Sequence, residues 1–244
     1  MGQYRTSNIK LRTSISFWPF FLMALSIVFG PCAGAAWDDR SAMKTILVLG
    51  DSLSDGLNLK RSEAYPALLV DKLRAAGLNY EVINASASGG TTEGGLRRLP
   101  PHLKRKIDIF VLELGINDAF LGVPIDEIRN NLQEIINRVK ARNPNVRIMI
   151  AGMQMPNYSA DDYVRAFGQM YVDLAKKNRA ALVPYLLEGV GGDPLLNLPD
   201  RIHPNAAGQR VLAENVWRVL ESIAREVSVS PSASEGPRQE SSVT

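Results

Sequence analysis

The chain of 244 residues contains 28 Lys and Arg, 25 Asp and Glu, and one Cys. Apolar residues make up 45% and charged residues 22%, a globular composition that excludes collagen-like, coiled-coil and wholly disordered chains. The single cysteine excludes an internal disulfide framework and a zinc site built from several cysteines. The formal charge of +3 would favour a nucleic-acid or anionic-membrane partner only if the positive charges lay on the folded domain.

The first 35 residues have the pattern of a secretory signal peptide. They contain no acidic residue, and three basic residues precede a largely apolar run over 17–30 that is followed by Ala33-Gly34-Ala35. The run is about 14 residues long, whereas a membrane-spanning helix needs about 20, and Pro19 lies inside it. Cleavage is therefore favoured over a permanent membrane helix, and over a lipoprotein signal that would acylate Cys32.

Removal of residues 1–35 would leave a chain without cysteine, with 25 acidic residues and an equal number of basic ones. A formal charge of zero takes away the indication of a nucleic-acid partner. We therefore predict an exported protein, periplasmic or secreted, that has no stable membrane span after cleavage and no nucleic-acid partner. We expect it to be a monomer.

Short apolar runs alternate with helical patterns through the rest of the chain. Five runs predict the strands Thr45–Gly50, Glu81–Ala85, Ile107–Leu114, Arg147–Gly152 and Ala181–Leu186. Five patterns predict the helices Glu63–Ala76, Thr92–Arg105, Ile125–Arg142, Asp161–Asn178 and Asn205–Glu226. Near-continuous apolar strands that alternate with helices predict a three-layer α/β/α domain, over 36–227, around a parallel sheet. The Ser-rich and Pro-rich segment 228–244 predicts a disordered tail.

The first predicted strand runs into the sequence Gly50-Asp51-Ser52-Leu53-Ser54. A serine on a tight turn between a strand and a helix combines an exposed Oγ with a nearby backbone N–H, which suits a nucleophile. The alternative is an ordinary turn in which Ser52 or Ser54 caps the following helix. We expect Asp51 to stabilise the turn by hydrogen bonding and not to act as a catalyst.

A serine nucleophile needs a base, and the chain contains only two histidines. His102 lies beside the basic stretch 104–106, where a solvated helix residue is expected. His203 lies between the last predicted strand and the last helix, three residues after Asp200. That spacing allows the Asp200 carboxylate to accept a hydrogen bond from Nδ1 and leaves Nε2 free as the base. The alternative is a loop on which both are only surface polar residues.

Two further loops offer donors for an oxyanion. Gly89 lies in the segment after the second predicted strand, and Asn117 lies just after the third. A glycine permits close approach of a backbone N–H, and an asparagine amide can point at the same place. Taken singly, a Gly-rich turn and an Asn-Asp turn are the simpler interpretations. Four strand-end loops that each carry one part of a hydrolase are hard to ascribe to chance.

These motifs resemble those of the SGNH hydrolases, the GDSL esterase/lipase family. The resemblance covers about residues 44–224, and its motifs are GDSLS at 50–54, NASASGGTT at 84–92, GIND at 115–118 and DRIHP at 200–204. The sequence is most similar to the bacterial exported arylesterase and thioesterase I–lysophospholipase group. One difference is Ile116, where several relatives have a second glycine.

The resemblance implies a five-stranded, flavodoxin-like parallel sheet. It implies that Ser52 is the nucleophile, His203 the base and later the acid, and Asp200 the carboxylate that orients His203. The oxyanion hole would consist of the N–H groups of Ser52 and Gly89 and the side chain of Asn117. No metal and no organic cofactor is expected.

Apolar residues follow two of the motifs, and we expect them to line an acyl groove, although any one of them could instead pack its own loop. They are Phe120, Leu121, Met153, Met155, Pro156 and Tyr158. The expected partner is a small acyl ester or lipid, with short- to medium-chain esters first and thioesters and lysophospholipids as further substrates. The alternatives are a carbohydrate or cell-wall O-deacetylase and a non-catalytic acyl- or glycan-binding module.

Overall fold

A computed structural model describes residues 43–155 and 162–230 of the chain. The predicted signal peptide over 1–35, the residues Pro156 and Tyr158, and the tail after 230 lie outside the described residues. None of the described helices is long and apolar enough to cross a bilayer.

The described part of the chain folds around one sheet of five parallel strands. The strands are β1 (Lys44–Gly50), β2 (Tyr80–Asn84), β3 (Ile109–Glu113), β4 (Arg147–Ala151) and β5 (Ala181–Val183). Their order across the sheet is β2-β1-β3-β4-β5, and all four pairings are parallel. This flavodoxin-like order places β1 and β3 side by side at the centre. The predicted three-layer α/β/α fold with a five-stranded parallel sheet is confirmed.

Helices cover both faces of the sheet. They are α1 (Ser52–Asp55), α2 (Tyr65–Ala75), α3 (Thr92–Arg98), α4 (Ile116–Phe120), α5 (Ile125–Arg142), α6 (Asp162–Asn178) and α7 (Ala206–Val229), with 3-10 turns at Arg61–Glu63 and Pro100–Lys104. On one face α2 packs against α7, and on the other α5 contacts both α3 and α6. The core lies between these layers and the sheet.

The local sequence explains why these elements form. Residues 45–50 of β1 are all buried, as expected for a strand that helices cover on both faces. Helix α5 follows Pro124 and buries one apolar stripe, which consists of Ile128, Leu132, Ile135, Ile136 and Val139. Acidic residues in its first turn and basic residues in its last turn interact favourably with the helix dipole and stabilise the helix.

Prolines account for two differences from the predicted elements. The helix predicted over Thr92–Arg105 ends at Arg98, because Pro100 and Pro101 cannot continue its hydrogen bonding, and a 3-10 turn replaces the rest. The strand predicted over Ala181–Leu186 ends at Val183, since Pro184 has no N–H for the ladder.

Two further differences add helical structure that was not predicted. Helix α7 continues to Val229, so Ser228 and Val229, which we assigned to the disordered tail, are helical. The short helix α4, which directly follows β3, was not predicted at all.

A close contact at the start of α7 generates a stability prediction. A Cβ on Gly208 would lie 2.1 Å from the Leu196 carbonyl oxygen and 2.9 Å from Pro204 Cβ. We expect Gly208→Ala to lower the free energy of unfolding by about 1–3 kcal/mol, the usual cost of overpacking. Urea denaturation measures this change.

The matched control is Gly168→Ala in α6, where a Cβ would meet nothing within 4 Å. Alanine is the better helix former, so this variant should be more stable than the wild type by about 0.5–1 kcal/mol. Equal unfolding free energies for the two variants would contradict the close contact at Gly208.

Candidate active site

Ser52 begins α1, and only Asp51 separates it from the end of β1. Asp51 caps this helix, and its Oδ1 accepts the N–H of Leu53 at 2.9 Å. Gly50 has no room for a side chain, because a Cβ there would lie 2.5 Å from both Glu113 Oε2 and Ser54 Oγ. The turn therefore requires a glycine before it, where a side chain would not fit, and its own Asp51 carboxylate stabilises it by hydrogen bonding.

His203 connects Ser52 to Asp200. Its Nε2 lies 3.0 Å from Ser52 Oγ, and its Nδ1 lies 2.7 Å from Asp200 Oδ2. The other oxygen of Asp200 accepts the backbone N–H groups of His203 at 3.0 Å and Ile202 at 2.9 Å. These two backbone hydrogen bonds are the main reason that the pKa of Asp200 falls to about 2, so this carboxylate is ionised at neutral pH.

The loop that carries Asp200 and His203 is anchored at its base. The N–H of Leu198 donates to the His203 carbonyl at 2.7 Å, and Asn197 forms an antiparallel bridge with Pro204. Asn205 caps α7 by accepting the N–H groups of Ala207 and Gly208 through its side chain. Its amide donates back to the carbonyls of Leu195 and Asn197. The end of the loop and the start of the helix thus form one hydrogen-bonded unit.

Asn117 reaches the same place from α4. Its Nδ2 donates to the Gly90 carbonyl at 2.9 Å and to Asp51 Oδ2 at 3.2 Å. The neighbouring Asp118 is buried and accepts both the N–H and the hydroxyl of Thr92. Helix α4 is therefore fixed to the start of α3 while its asparagine faces the turn at Ser52.

A cavity of about 490 Å³ opens at this point. The residues with predicted site roles that line it are Ser52, Asn117, Phe120, Met153 and His203. Lining residues that we did not single out are Leu53, Ile116, Gln154, Tyr185, Leu187, Gly191, Gly192, Arg201 and Ile202. Six of the fourteen lining residues are Leu, Ile, Phe or Met, and the Ser52–His203 pair lies at one place in the wall.

Three of the predicted oxyanion and acyl-groove residues do not line the cavity. Gly89, at φ +72°, lies in a turn and does not line the cavity, although the carbonyl of the next residue receives Asn117. Leu121 is 72% exposed and is not a lining residue. Met155 is partly buried against the core and is not one either.

The loop after β5 supplies residues that sequence reasoning missed. Tyr185 and Leu187 were assigned to a strand or left unassigned, whereas the early end of β5 turns them toward the cavity. Pro184 and the pair Gly191-Gly192 were the available signals, since both mark irregular backbone close to a strand end.

Two buried carboxyl groups lie directly behind Ser52. Glu113 Oε2 accepts the Asp51 N–H at 3.1 Å and the Ser54 hydroxyl at 2.6 Å. Burial, and then the neighbouring Asp51, raise the pKa of Glu113 well above its usual value. Burial also raises the pKa of Asp51 to about 6. Both carboxyl groups therefore hold a proton to higher pH than exposed acids do.

His102 lies in the 3-10 turn after α3 and does not line the cavity. Burial lowers its pKa, and Arg105 and Arg98 lower it further. Over 43–155 and 162–230, no three His, Cys, Asp or Glu side chains cluster in a way that could hold a metal ion.

Comparison with known proteins gives consistent matches. The sequence model of the GDSL-like Lipase/Acylhydrolase family matches residues 48–211. Esterase TesA of Pseudomonas aeruginosa is 40% identical over 185 residues, which are 75% of this chain and 91% of the relative. The arylesterase of Vibrio mimicus is 38% identical over 197 residues, which are 80% of this chain and 96% of the relative.

Two further matches support the same family. Thioesterase 1/protease 1/lysophospholipase L1 of Escherichia coli is 37% identical over 184 residues, which are 75% of this chain and 86% of the relative. A crystal structure of TesA superimposes with a TM-score of 0.70 at 39% identity and covers 74% of this chain and 99% of its own. The resemblance drawn from the four motifs is confirmed.

The buried acid pair predicts how stability depends on pH. The pKa of Asp51 and that of Glu113 are both raised in the folded protein, so the folded state keeps protons that the unfolded state releases. The stability that these protons contribute is present below about pH 4 and is lost as the pH rises through about 6 and above, with a slope of about 1.4 kcal/mol per pH unit for one proton.

Urea denaturation at several pH values measures this slope. Glu113→Gln removes one of the two titrating groups, so the free energy of unfolding should fall less steeply with rising pH than in the wild type. Identical slopes would show that Glu113 does not hold a proton in the folded state.

Proposed function

The chain belongs to the GDSL-like lipase/acylhydrolase family of carboxylic ester hydrolases, and we propose that it works through a Ser52–His203–Asp200 triad and an acyl-enzyme. The observation that carries the proposal is the unbroken chain of contacts from Ser52 Oγ through both ring nitrogens of His203 to Asp200 Oδ2. A hydroxyl, an imidazole and an ionised carboxylate in this order are what acyl transfer by a serine requires.

In the first half of the reaction Ser52 Oγ attacks the ester carbonyl carbon while His203 Nε2 takes the hydroxyl proton. The imidazolium that forms keeps its Nδ1–H on Asp200 Oδ2, 2.7 Å away, and the negative charge there stabilises it. When the tetrahedral intermediate collapses, Nε2 gives the proton to the leaving alcohol oxygen. The acyl group remains bound to Ser52 as an ester.

In the second half a water molecule takes the place of the alcohol. His203 Nε2 removes a proton from the water, whose oxygen attacks the acyl carbon, and then returns the proton to Ser52 Oγ. The carboxylic acid leaves, and the free serine is regenerated. No external reductant, oxidant or metal enters this balance.

The oxyanion would be held by the backbone N–H of Ser52 and by the Asn117 amide, which both belong to cavity-lining residues. The Gly89 N–H lies outside that lining and is proposed as a third donor on the family resemblance alone. The Ser52 N–H, in the first turn of a helix, has no acceptor within that helix. The Asn117 amide donates to Asp51 over 3.2 Å, its longer hydrogen bond, and we propose that it exchanges this partner for the substrate oxygen. Loss of one such donor typically costs about 100- to 1000-fold in rate.

The cavity favours an apolar acyl group. Ile116, Phe120, Met153 and Leu187 contribute apolar side chains to its wall, and methionine adapts to chains of different shape. We propose short- to medium-chain acyl and aryl esters as the main substrates. Thioesters and lysophospholipids are proposed as further ones, because a relative carries both activities in its name.

We also propose that residues 1–35 are a cleaved signal peptide and that the catalytic domain over 36–227 acts outside the cytoplasm as a monomer. The basic, apolar and small-residue segments in that order support export.

Substitution of the triad tests the mechanism. We expect Ser52→Ala and His203→Ala to lower kcat for p-nitrophenyl butyrate by about 10⁴-fold or more. His102→Ala is the matched control, because it removes the only other histidine and should leave kcat unchanged. Wild-type kcat in the Ser52 variant would refute the mechanism. Ligand binding without turnover in the wild type would instead favour a binding module.

Phe120 tests the acyl pocket. It lines the cavity while 56% exposed, so Phe120→Ala should fold normally and remove contact with the substrate chain. We expect kcat/KM for an octanoyl ester to fall by about tenfold, roughly the effect of one lost apolar contact, with little change for an acetyl ester.

The matched control is Leu121→Ala, which removes an exposed apolar neighbour that does not line the cavity. It should leave the chain-length profile unchanged. Equal effects of the two substitutions, or a wild-type preference for acetylated glycans over hexanoyl and octanoyl esters, would contradict the proposed acyl groove.

A further inference from the structure

We propose that Glu113 is a positioning residue for ester hydrolysis: its buried carboxyl group fixes Asp51 and Ser54, and Asp51 in turn holds the start of α1 and the Asn117 amide in register. The inference rests on the proposed roles of Ser52 and Asn117. The buried acid of β3 would thus have a role in catalysis in addition to its place in the core.

The first argument is the position of Glu113 in the sheet. It is the last residue of β3, it is fully buried, and it pairs with Gly50 of β1 in the parallel register. The four preceding residues of β3 are all buried and apolar. A carboxyl group in such a place loses its hydration, so it must gain specific partners to be tolerated.

The second argument is what one oxygen of Glu113 holds. Oε2 receives the N–H of Asp51 and the hydroxyl of Ser54, the residues on either side of the Ser52–Leu53 pair. The Ser54 hydroxyl is also 2.8 Å from the hydroxyl of Tyr65, which is buried in α2. A single acceptor therefore fixes both ends of the short segment that carries the nucleophile.

The third argument concerns the proton. Glu113 Oε1 is buried and receives no N–H or O–H among the described residues, while the Glu113 and Asp51 carboxyl groups interact with each other through their side chains. Two buried carboxyl groups form such a contact without strong repulsion only when they share a proton. Burial keeps this proton on Glu113, whose pKa is raised well above its usual value.

The charged and titratable groups around Glu113 and Asp51 are consistent with a proton on Glu113. Arg98 of α3 approaches from the side of Asp51 and donates to the Gly50 carbonyl at 3.0 Å. Tyr65 of α2 and Tyr171 of α6 are neutral, since burial raises the pKa of both hydroxyls. His203 acts on the charge of Asp51 from the loop before α7. The Arg98 guanidinium and the His203 ring thus act on Asp51 and not on Glu113.

Asp51 therefore positions two separate elements, α1 and α4, at the same time. With its backbone N–H held by Glu113 Oε2, Asp51 directs Oδ1 to the Leu53 N–H in α1 and Oδ2 to the Asn117 amide in α4. The nucleophile and the oxyanion donor are thereby set relative to each other. Loss of Glu113 would free this carboxylate to turn and would leave the Asp51 N–H and the Ser54 hydroxyl without their acceptor.

The test compares Glu113→Leu with Glu113→Gln, using kcat and KM for p-nitrophenyl butyrate per folded molecule. Leucine removes the acceptor and the proton, so kcat should fall about 100-fold with little change in KM, the cost expected for a misplaced donor. Glutamine keeps a carbonyl acceptor and always donates to Asp51, so it should restore kcat to within about threefold of the wild type, a small change in barrier.

Asp108 supplies the matched control. It lies just before β3, at the other end of the sheet, is 9% exposed, and accepts the Thr45 N–H of β1 at 2.9 Å. Asp108→Leu therefore removes a comparable acid that bridges the same two strands far from Ser52. It should lower the melting temperature while leaving kcat per folded molecule unchanged.

Infrared spectroscopy reports the proton directly. Wild-type protein at neutral pH should show the carbonyl band of a protonated carboxylic acid, and Glu113→Gln should lack it. Wild-type kcat in Glu113→Leu, or the same infrared band in Glu113→Gln, would overturn the inference. If the leucine variant does not fold, the infrared comparison decides alone. Failure of the proposed function would look different, because turnover would then not depend on Ser52.

Discussion

The contact between the ends of β1 and β3 is the constraint on which the site depends. Gly50 and Glu113 pair in the parallel register, and the space above Gly50 is filled by Glu113 Oε2 and Ser54 Oγ. A side chain at Gly50 would push β1 away from β3 or displace the turn that carries Ser52. The glycine at the head of the first motif is therefore required by an acid 63 residues later in the chain.

The rest of the site is assembled around this contact by elements that do not share a strand. Asn117 comes from α4, which Asp118 fixes to Thr92 at the start of α3. His203 comes from a loop tied to the N-terminal cap of α7. Parallel strands with crossover helices bring such distant segments together beyond the carboxyl ends of the strands, which is where ligands bind in this class of fold.

The central strands and the Ser52, Asp200 and His203 residues of the site could be predicted from the sequence. β1 and β3 are recognisable as apolar runs, and Ser52, Asp200 and His203 stand out because polar residues follow buried strands and histidine is rare in the chain. Glu113 was not recognised, since a strand pattern does not reveal which polar residue will be buried with a partner. Tyr185 and Leu187 were missed because the end of β5 depends on a proline whose effect on the next turn is three-dimensional.

The hydrogen bonds of Asn117 within the protein affect how strongly its amide can bind a neutral substrate compared with a transition state. Both hydrogen bonds of its amide nitrogen are used within the protein, to Gly90 and to Asp51. A neutral ester carbonyl gains little by displacing a carboxylate from that amide, whereas a developing oxyanion competes for it on equal terms. In the proposed mechanism, an amide that is already hydrogen-bonded at rest would contribute almost nothing to substrate affinity and would stabilise mainly the transition state.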